Sequence, residues 1–104
     1  MTSIKNEDKA VLKAWFTYML RCADDTLYAG VTTDCQRRVN EHNGLQKGGA
    51  RYTQARRPVV MVWFEQNVNR SEACKREAQI KKYPRTKKIA LIENADQQAL
   101  LTIL

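Results

Sequence analysis

One glutamate interrupts the apolar face of a predicted helix that runs from Ser71 to about Tyr83. The apolar side chains of this helix are Ala73, Cys74, Ala78 and Ile80. Glu77 lies among them, at the three- and four-residue spacings that place side chains on one helix face. A carboxylate on a buried face needs a cation or a metal ion, because an unpaired buried charge is costly. Glu77 is therefore a candidate metal ligand, and a structural ion pair with an arginine is the alternative.

A second pair of polar side chains, Arg38 and His42, lies four residues apart on another predicted helix. If Cys35 and Val39 of this helix are buried, Arg38 and His42 lie at the edge of its buried face. The planar fork of arginine can donate two hydrogen bonds to a phosphate, and histidine can donate to an oxyanion or move a proton near neutral pH. The pair favours phosphate chemistry, with a solvated helix face as the alternative.

Two tyrosines, Tyr18 and Tyr28, lie in the two strands of a predicted hairpin. A two-residue turn would place them on opposite faces of the sheet. A three-residue turn, Ala23–Asp25, pairs Leu20 with Tyr28 and places both tyrosines on one face. We predict the second arrangement. A cross-strand aromatic pair with no further role is the alternative.

The elements that must position these residues form an α+β pattern. Strands are predicted at 14–22 and 27–32, followed by a helix at 35–42 with Asp34 as its N-cap and by an irregular segment at 45–58. The continuously apolar stretch at 59–66 predicts a strand buried on both faces in the middle of the sheet. Helices at 71–83 and 86–94 follow, and the apolar tail 95–104 predicts either a last packed helix or a dimer contact. We expect one domain over 1–104, with a three-stranded sheet (hairpin plus central strand) flanked by helices, a core at about 14–93 and terminal extensions at 1–13 and 95–104.

The charge balance points to an anionic partner. The chain has 104 residues, with 18 Lys and Arg against 11 Asp and Glu. A net charge of +7 on one small domain favours nucleic acid or an anionic membrane surface, with a generic basic protein as the alternative. No apolar run reaches the ~18–20 residues of a membrane span. The three cysteines, Cys22, Cys35 and Cys74, are predicted to be reduced thiols, which indicates the cytoplasm.

The motifs around these residues resemble those of the GIY-YIG endonuclease family. Phe16-Thr17-Tyr18 and Tyr28-Ala29-Gly30 are similar to the two namesake motifs, although Phe16, Thr17 and Ala29 depart from the family letters. Arg38 matches the family's helix arginine, His42 matches the His or Tyr that follows it four residues later, and Glu77 matches the metal-binding glutamate. The stretch 49–58 is similar to that of small stand-alone bacterial members.

The resemblance implies a metal-dependent hydrolysis of DNA. Glu77 would anchor one Mg²⁺ or Mn²⁺ ion, Arg38 would hold a phosphate oxygen, and Tyr18 would act as general base with Tyr28 positioning the water. His42 offers a second route for the proton, and the choice between Tyr18 and His42 stays open. We expect the metal, Arg38 and Lys13 or Arg21 to lower the pKa of Tyr18.

The predicted nucleic-acid surface surrounds this site. Gly30 would let a backbone or a substrate phosphate approach closely, and Tyr52 would stack on a base. The basic contacts would be Arg37, Lys47, Arg51, Arg56 and Arg57. These features favour a structure- or single-strand-directed DNA endonuclease of repair or recombination, with RNA not excluded, no membrane contact, a protein partner for specificity and a monomer over a dimer. The alternatives are a binding module of the same fold that cleaves weakly or not at all, and a protein adaptor that uses the tail 100–104.

Overall fold

A computed structural model of the protein describes residues 14–104; the predicted extension 1–13, with Lys13, lies outside them. The strands in this range are β1 (Trp15–Arg21), β2 (Leu27–Thr32) and β3 (Val60–Asn67). The helices in this range are α1 (Cys35–His42), α2 (Arg51–Gln54), α3 (Arg70–Lys81), α4 (Arg85–Glu93) and α5 (Gln97–Ile103). The α+β class is confirmed, and α2 lies within the segment predicted to be irregular. No helix in this range is both long enough and apolar enough to cross a bilayer.

The hairpin of β1 and β2 has the predicted register. Leu20 pairs with Tyr28, and the N–H of Cys22 donates to the carbonyl of Thr26 at 2.9 Å across the three-residue turn. Asp25 closes this turn with a φ of 66°, the left-handed conformation that such turns require and that aspartate tolerates. Both hairpin tyrosines therefore lie on the same face of the sheet.

The prediction that the third strand is central was wrong. The strand order is β2-β1-β3, so β1 lies in the middle and β3 lies at an edge, where Val60 is 59% exposed. The register against β1 shifts by one residue at Met19 and Leu20, which face Trp63 and Met61. Because of this bulge, Met61 and Trp63 lie on opposite faces of the sheet although they are two residues apart. The apolar side chains of β3 therefore contact both faces.

Two apolar clusters lie on the two faces of the sheet. The first contains the buried side chains of Tyr18, Leu20, Cys22, Cys35, Val59, Met61 and Leu100. The second contains Met19, Ala29, Trp63, Ile80 and Ile92. Helices α1 and α5 therefore cover one face, and α3 and α4 cover the other. Leu100 places the apolar tail in the first cluster, as the predicted last packed helix.

Helix α3 begins at Arg70, one residue before the predicted start, because the side chain of Asn69 caps it by accepting from the N–H of Glu72 at 2.9 Å. The buried hydroxyl of Thr17 in β1 donates to the carbonyl of Ala73 at 2.9 Å and ties the helix to the sheet. Ala78 is exposed, so its predicted place on the inward face was wrong.

Candidate active site

Tyr18 is the buried centre of the candidate site. It pairs with Gly30 of β2, and its residue surface is only 1% exposed. A Cβ atom added to Gly30 would lie 2.5 Å from the phenolic oxygen. The missing side chain therefore makes room for Tyr18 itself, and not for the backbone or substrate phosphate that we predicted.

His42 is fully buried against Tyr18, although the sequence predicted it at the edge of the helix face. Its Nε2 atom lies 2.7 Å from the phenolic oxygen of Tyr18, and its Nδ1 atom lies 2.9 Å from the hydroxyl oxygen of Thr53. That hydroxyl donates its one hydrogen to the carbonyl of Ala50 at 2.9 Å. It must therefore accept from Nδ1–H, so that Nε2 accepts the hydrogen bond from Tyr18.

Burial sets the protonation states of this pair. It is the largest cause that lowers the pKa of His42 to about 4, and the positive charge of Arg38 adds to it. His42 is therefore neutral at pH 7. Burial also raises the pKa of the Tyr18 phenol above its usual value of about 10, although Arg38 opposes the rise. Of the predicted causes, Arg38 does lower the pKa of Tyr18 but is outweighed by burial. Arg21 pairs with Asp25 instead, at 3.5 Å.

Arg38 is held in place by three groups. Its Nε–H donates to the oxygen of Tyr18 at 3.2 Å. Its Nη1 atom donates to the carboxylate of Glu41 and to the carbonyl of Gly48, each at 2.6 Å. Its Nη2 atom makes no hydrogen bond within residues 14–104, which leaves it available to an anion. The sequence reasoning missed Glu41, whose i,i+3 spacing from Arg38 was the available signal.

Tyr28 lies on the other side of His42, with 5.3 Å between the ring centroids. The ring of Tyr52 stacks on Tyr28 at 5.6 Å, and the guanidinium carbon of Arg56 lies 3.9 Å from the centre of the Tyr52 ring. The ring of Tyr52 is thus engaged within the protein, which differs from its predicted availability to a base. Arg56 is engaged as well, through an ion pair with Asp24 at 3.1 Å.

Glu77 extends from α3, the helix on the opposite face of the sheet from α1. Its side chain is 22% exposed and pairs with Lys81 at 3.2 Å, not with an arginine. Its charge raises the pKa of Tyr18, so the carboxylate lies within electrostatic range of the phenol. The structure thus brings four of the five predicted residues into direct contact, and the fifth acts on them through its charge.

The donor set at Glu77 fits a hard divalent ion that keeps most of its water ligands. Within residues 14–104 no cluster of three or more His, Cys, Asp or Glu side chains could enclose a metal ion. Mg²⁺ and Mn²⁺ accept such a site, because one or two carboxylates and substrate phosphates suffice for them. The partly exposed carboxylate, opposed only by a lysine, meets that requirement.

The remaining basic residues lie on or near α1 and α2. Arg37 pairs with Glu41 at 3.4 Å, Arg57 donates from Nε to the carbonyl of His42 at 2.7 Å, and Lys47 and Arg51 are exposed. Tyr28 lies on this side of the molecule as well. The basic residues predicted to bind DNA therefore lie around the sheet face that carries Tyr18 and Tyr28.

The family of this chain follows from a match to a protein-family model. Residues 14–90 match the GIY-YIG catalytic domain. The chain belongs to the GIY-YIG family. Membership implies nuclease activity and nucleic-acid binding in general, and GIY-YIG nucleases generally use divalent metal ions.

Small proteins from several organisms resemble this GIY-YIG chain over most of their length. A UPF0213 protein of Desulfotalea psychrophila is 50% identical over 84 residues, which are 81% of this chain and 76% of that protein. A UPF0213 protein of Staphylococcus aureus is 47% identical over 78 residues, which are 75% and 93% of the two chains. The solution structure of a UPF0213 protein from Bacillus halodurans is 32% identical, with a TM-score of 0.52 over 88% of this chain and 96% of that one.

Proposed function

We propose that this protein is a metal-dependent endonuclease that hydrolyses phosphodiester bonds in DNA. The observation that carries the proposal is the hydrogen-bonded set of Tyr18, His42 and Arg38 beside the carboxylate of Glu77, in a chain of the GIY-YIG family. These side chains supply a proton acceptor, a hydrogen-bond donor to the phosphate, and a metal ligand. Phosphodiester hydrolysis requires these three parts.

Arg38 binds the phosphate that is cleaved. Its position is fixed by Tyr18, Glu41 and Gly48, and its free Nη2 atom donates to a non-bridging oxygen. A donor that is fixed before the reaction stabilises the charge that develops in the transition state without further reorganisation. Two of the partners are a carboxylate and a carbonyl, which also offset the cost of burying most of the Arg38 side chain, of which 22% is exposed.

Tyr18 and His42 together receive the proton of the attacking water. The water donates to the phenolic oxygen, and the phenolic proton moves to Nε2 of His42, whose Nδ1–H stays bound to Thr53. His42 is a weak base in the free protein, because Arg38 and burial oppose its charge. A phosphate bound to Arg38 offsets that positive charge and so raises the proton affinity of His42.

Glu77 is the residue that would hold the metal ion, Mg²⁺ or Mn²⁺. When bound there, the ion supplies Lewis-acid stabilisation of the phosphate and of the leaving 3′ oxygen. Lys81 pairs with the carboxylate in the free protein, and Glu77 would exchange this contact for one with a divalent cation. An exposed pair of this kind contributes only ~0.3–0.5 kcal/mol, so it is a weak competitor.

The basic surface favours DNA with little sequence preference, because contacts to phosphates position a chain without reading bases. We also propose that a protein partner supplies specificity in repair or recombination, that RNA is a possible second substrate, and that the protein acts as a monomer. The free cysteines fit the reducing cytoplasm.

A binding module that does not cleave is the second candidate. Two observations favour it: Tyr18 is almost fully buried, and Glu77 is paired with Lys81 instead of standing free. Such a module would use the same basic surface and would need no metal ion.

Incubation with branched and single-stranded DNA separates the two functions. We expect nicking by the wild type in Mg²⁺ or Mn²⁺, and loss of nicking with retained binding in Glu77→Ala and Tyr18→Phe. Nicking that persists unchanged in Glu77→Ala would remove Glu77 from the site. DNA binding by the wild type with no nicking in either metal would favour the binding module.

A further inference from the structure

A polar groove of about 420 Å³ lies beside Arg38, outside the set of residues assigned to the reaction. Its walls are the glycine-rich segment 44–49 and the side chains of Gln54 and Arg57. Within the described chain, its lining contains two cations, Lys47 and Arg57, and no carboxylate. The charge of the groove therefore favours an anion.

Arg57 lines this groove, and its guanidinium is anchored through one nitrogen. Its Nε–H donates to the carbonyl of His42 at 2.7 Å, which leaves both terminal amino groups for a ligand. The guanidinium lies against Gly44, where an added Cβ atom would be 2.6 Å from Nη1. Gly44 also has a φ of +80°, so both its missing side chain and its left-handed backbone are needed for this arrangement.

The backbone of the segment contributes further donors. The N–H groups of Leu45 and Gln46 both donate to the carbonyl of Asn40, at 2.9 and 3.3 Å. The next two residues along the groove, Lys47 and Gly48, have backbone N–H groups with no hydrogen-bond partner within residues 14–104. Successive free amides beside a fixed guanidinium form a concave site for a phosphate.

We propose that this groove binds a second backbone phosphate of the DNA strand, at a linkage next to or near the one that is cleaved. The groove and the reaction centre share a wall, because the carbonyl of Gly48 accepts from Nη1 of Arg38 at 2.6 Å. The nearest carboxylate, Glu41, is paired with Arg37 and Arg38 and so does not repel an anion in the groove. The proposal rests on the proposed function for the identity of the strand.

The second phosphate gives the strand a direction across the site. If only one phosphate is bound, the DNA strand can rotate about it. If two phosphates are bound, the orientation and the register of the DNA strand in the site are fixed. The groove would thus select a polynucleotide over a mononucleotide or a free phosphate ion, and would position the bond that is cleaved.

The test is a scan of single methylphosphonate linkages along a labelled oligonucleotide, with binding measured by fluorescence anisotropy without divalent metal. In the wild type, neutralising one linkage other than the cleaved one should weaken binding about tenfold, as for one charge-assisted contact. In Arg57→Gln, the methylphosphonate at that same linkage should not weaken binding any further. Lys75→Gln, which removes the same charge from α3 on the opposite face of the sheet, should respond as the wild type does.

The outcomes separate this proposal from the proposed function. Equal responses of wild type and Arg57→Gln at every linkage would overturn the second phosphate site, whatever the protein cleaves. If Arg57→Gln removes the effect of the methylphosphonate at one linkage, Arg57 and that linkage are coupled. Such coupling without any cleavage would support the second phosphate site and contradict the proposed nuclease activity. Because Arg57 also contacts His42, Lys47→Gln provides a second variant that should show coupling at the same or the adjacent linkage. Binding of inorganic phosphate at Gly48 by NMR, with no coupling along the strand, would indicate an anion site only and overturn the proposal.

Discussion

The protonation of His42 should control the acid stability of the protein. The folded chain lowers the pKa of this imidazole from about 6.5 to about 4. The unfolded chain therefore binds a proton at a higher pH than the folded chain does. The free energy of unfolding is therefore at its full value above pH 6.5, and it decreases as the pH falls from 6.5 to about 4. At 1.36 kcal/mol per pKa unit, the loss is about 3 kcal/mol.

Urea unfolding between pH 7.5 and pH 4 measures this loss. His42→Gln is the matched control, because carboxylates titrate in both proteins and only the wild type carries a histidine. We expect the free energy of unfolding of the wild type to fall by about 3 kcal/mol more than that of the variant over this range. As the only histidine, His42 also gives a single imidazole signal in NMR, which should titrate near pH 4. A midpoint near 6.5, with parallel stability curves for the two proteins, would refute the assigned burial and hydrogen bonding.

Four further predictions concern cleavage and binding. Arg38→Lys keeps the charge but loses the fork, and should lower the single-turnover cleavage rate ~10²–10³-fold, as loss of an oxyanion donor does; a rate within threefold of the wild type would contradict the role of Arg38. Gly30→Ala should displace the phenol of Tyr18, seen as lower thermal stability together with lost cleavage, and unchanged values of both would argue against the close contact. Lys81→Ala should halve, roughly, the Mg²⁺ concentration for half-maximal cleavage, because its pair with Glu77 is worth only ~0.3–0.5 kcal/mol; a higher requirement would indicate that the lysine assists binding. DNA affinity should fall with salt, with a log-log slope of ~0.9 per duplex phosphate neutralised, and a flat response would count against nucleic acid as the partner.

The local parts of the fold follow from the sequence. The three-residue turn at Ala23–Asp25 fixes the register of the hairpin, and that register alone places Tyr18 and Tyr28 on one face. The helix α1 follows from its Asp34 cap, whose side chain accepts from the N–H of Arg37 at 3.0 Å. Such features depend on residues a few positions apart, so their spacing carries the information.

The features that the sequence did not predict depend on distant parts of the chain. The edge position of β3 depends on which hairpin strand it pairs with, and it pairs with β1. The complete burial of His42 depends on α2, which brings Thr53 over the imidazole from a segment predicted to be irregular. Helix periodicity locates a side chain on a face, but it does not say what covers that face. For the same reason the sequence indicated that Arg38 lowers the pKa of Tyr18, but not that burial raises it by more.

We propose that Glu77 supports metal-dependent cleavage by the cluster of Tyr18, His42 and Arg38. The most direct measurement is the single-turnover cleavage rate of a labelled DNA as Mg²⁺ or Mn²⁺ is titrated, for wild type and Glu77→Gln, with DNA binding measured on the same samples. We predict saturable cleavage by the wild type, and cleavage at least ~100-fold slower in Glu77→Gln at equal DNA occupancy. Equal rates at every metal concentration, or cleavage by the wild type that needs no divalent metal, would contradict the account.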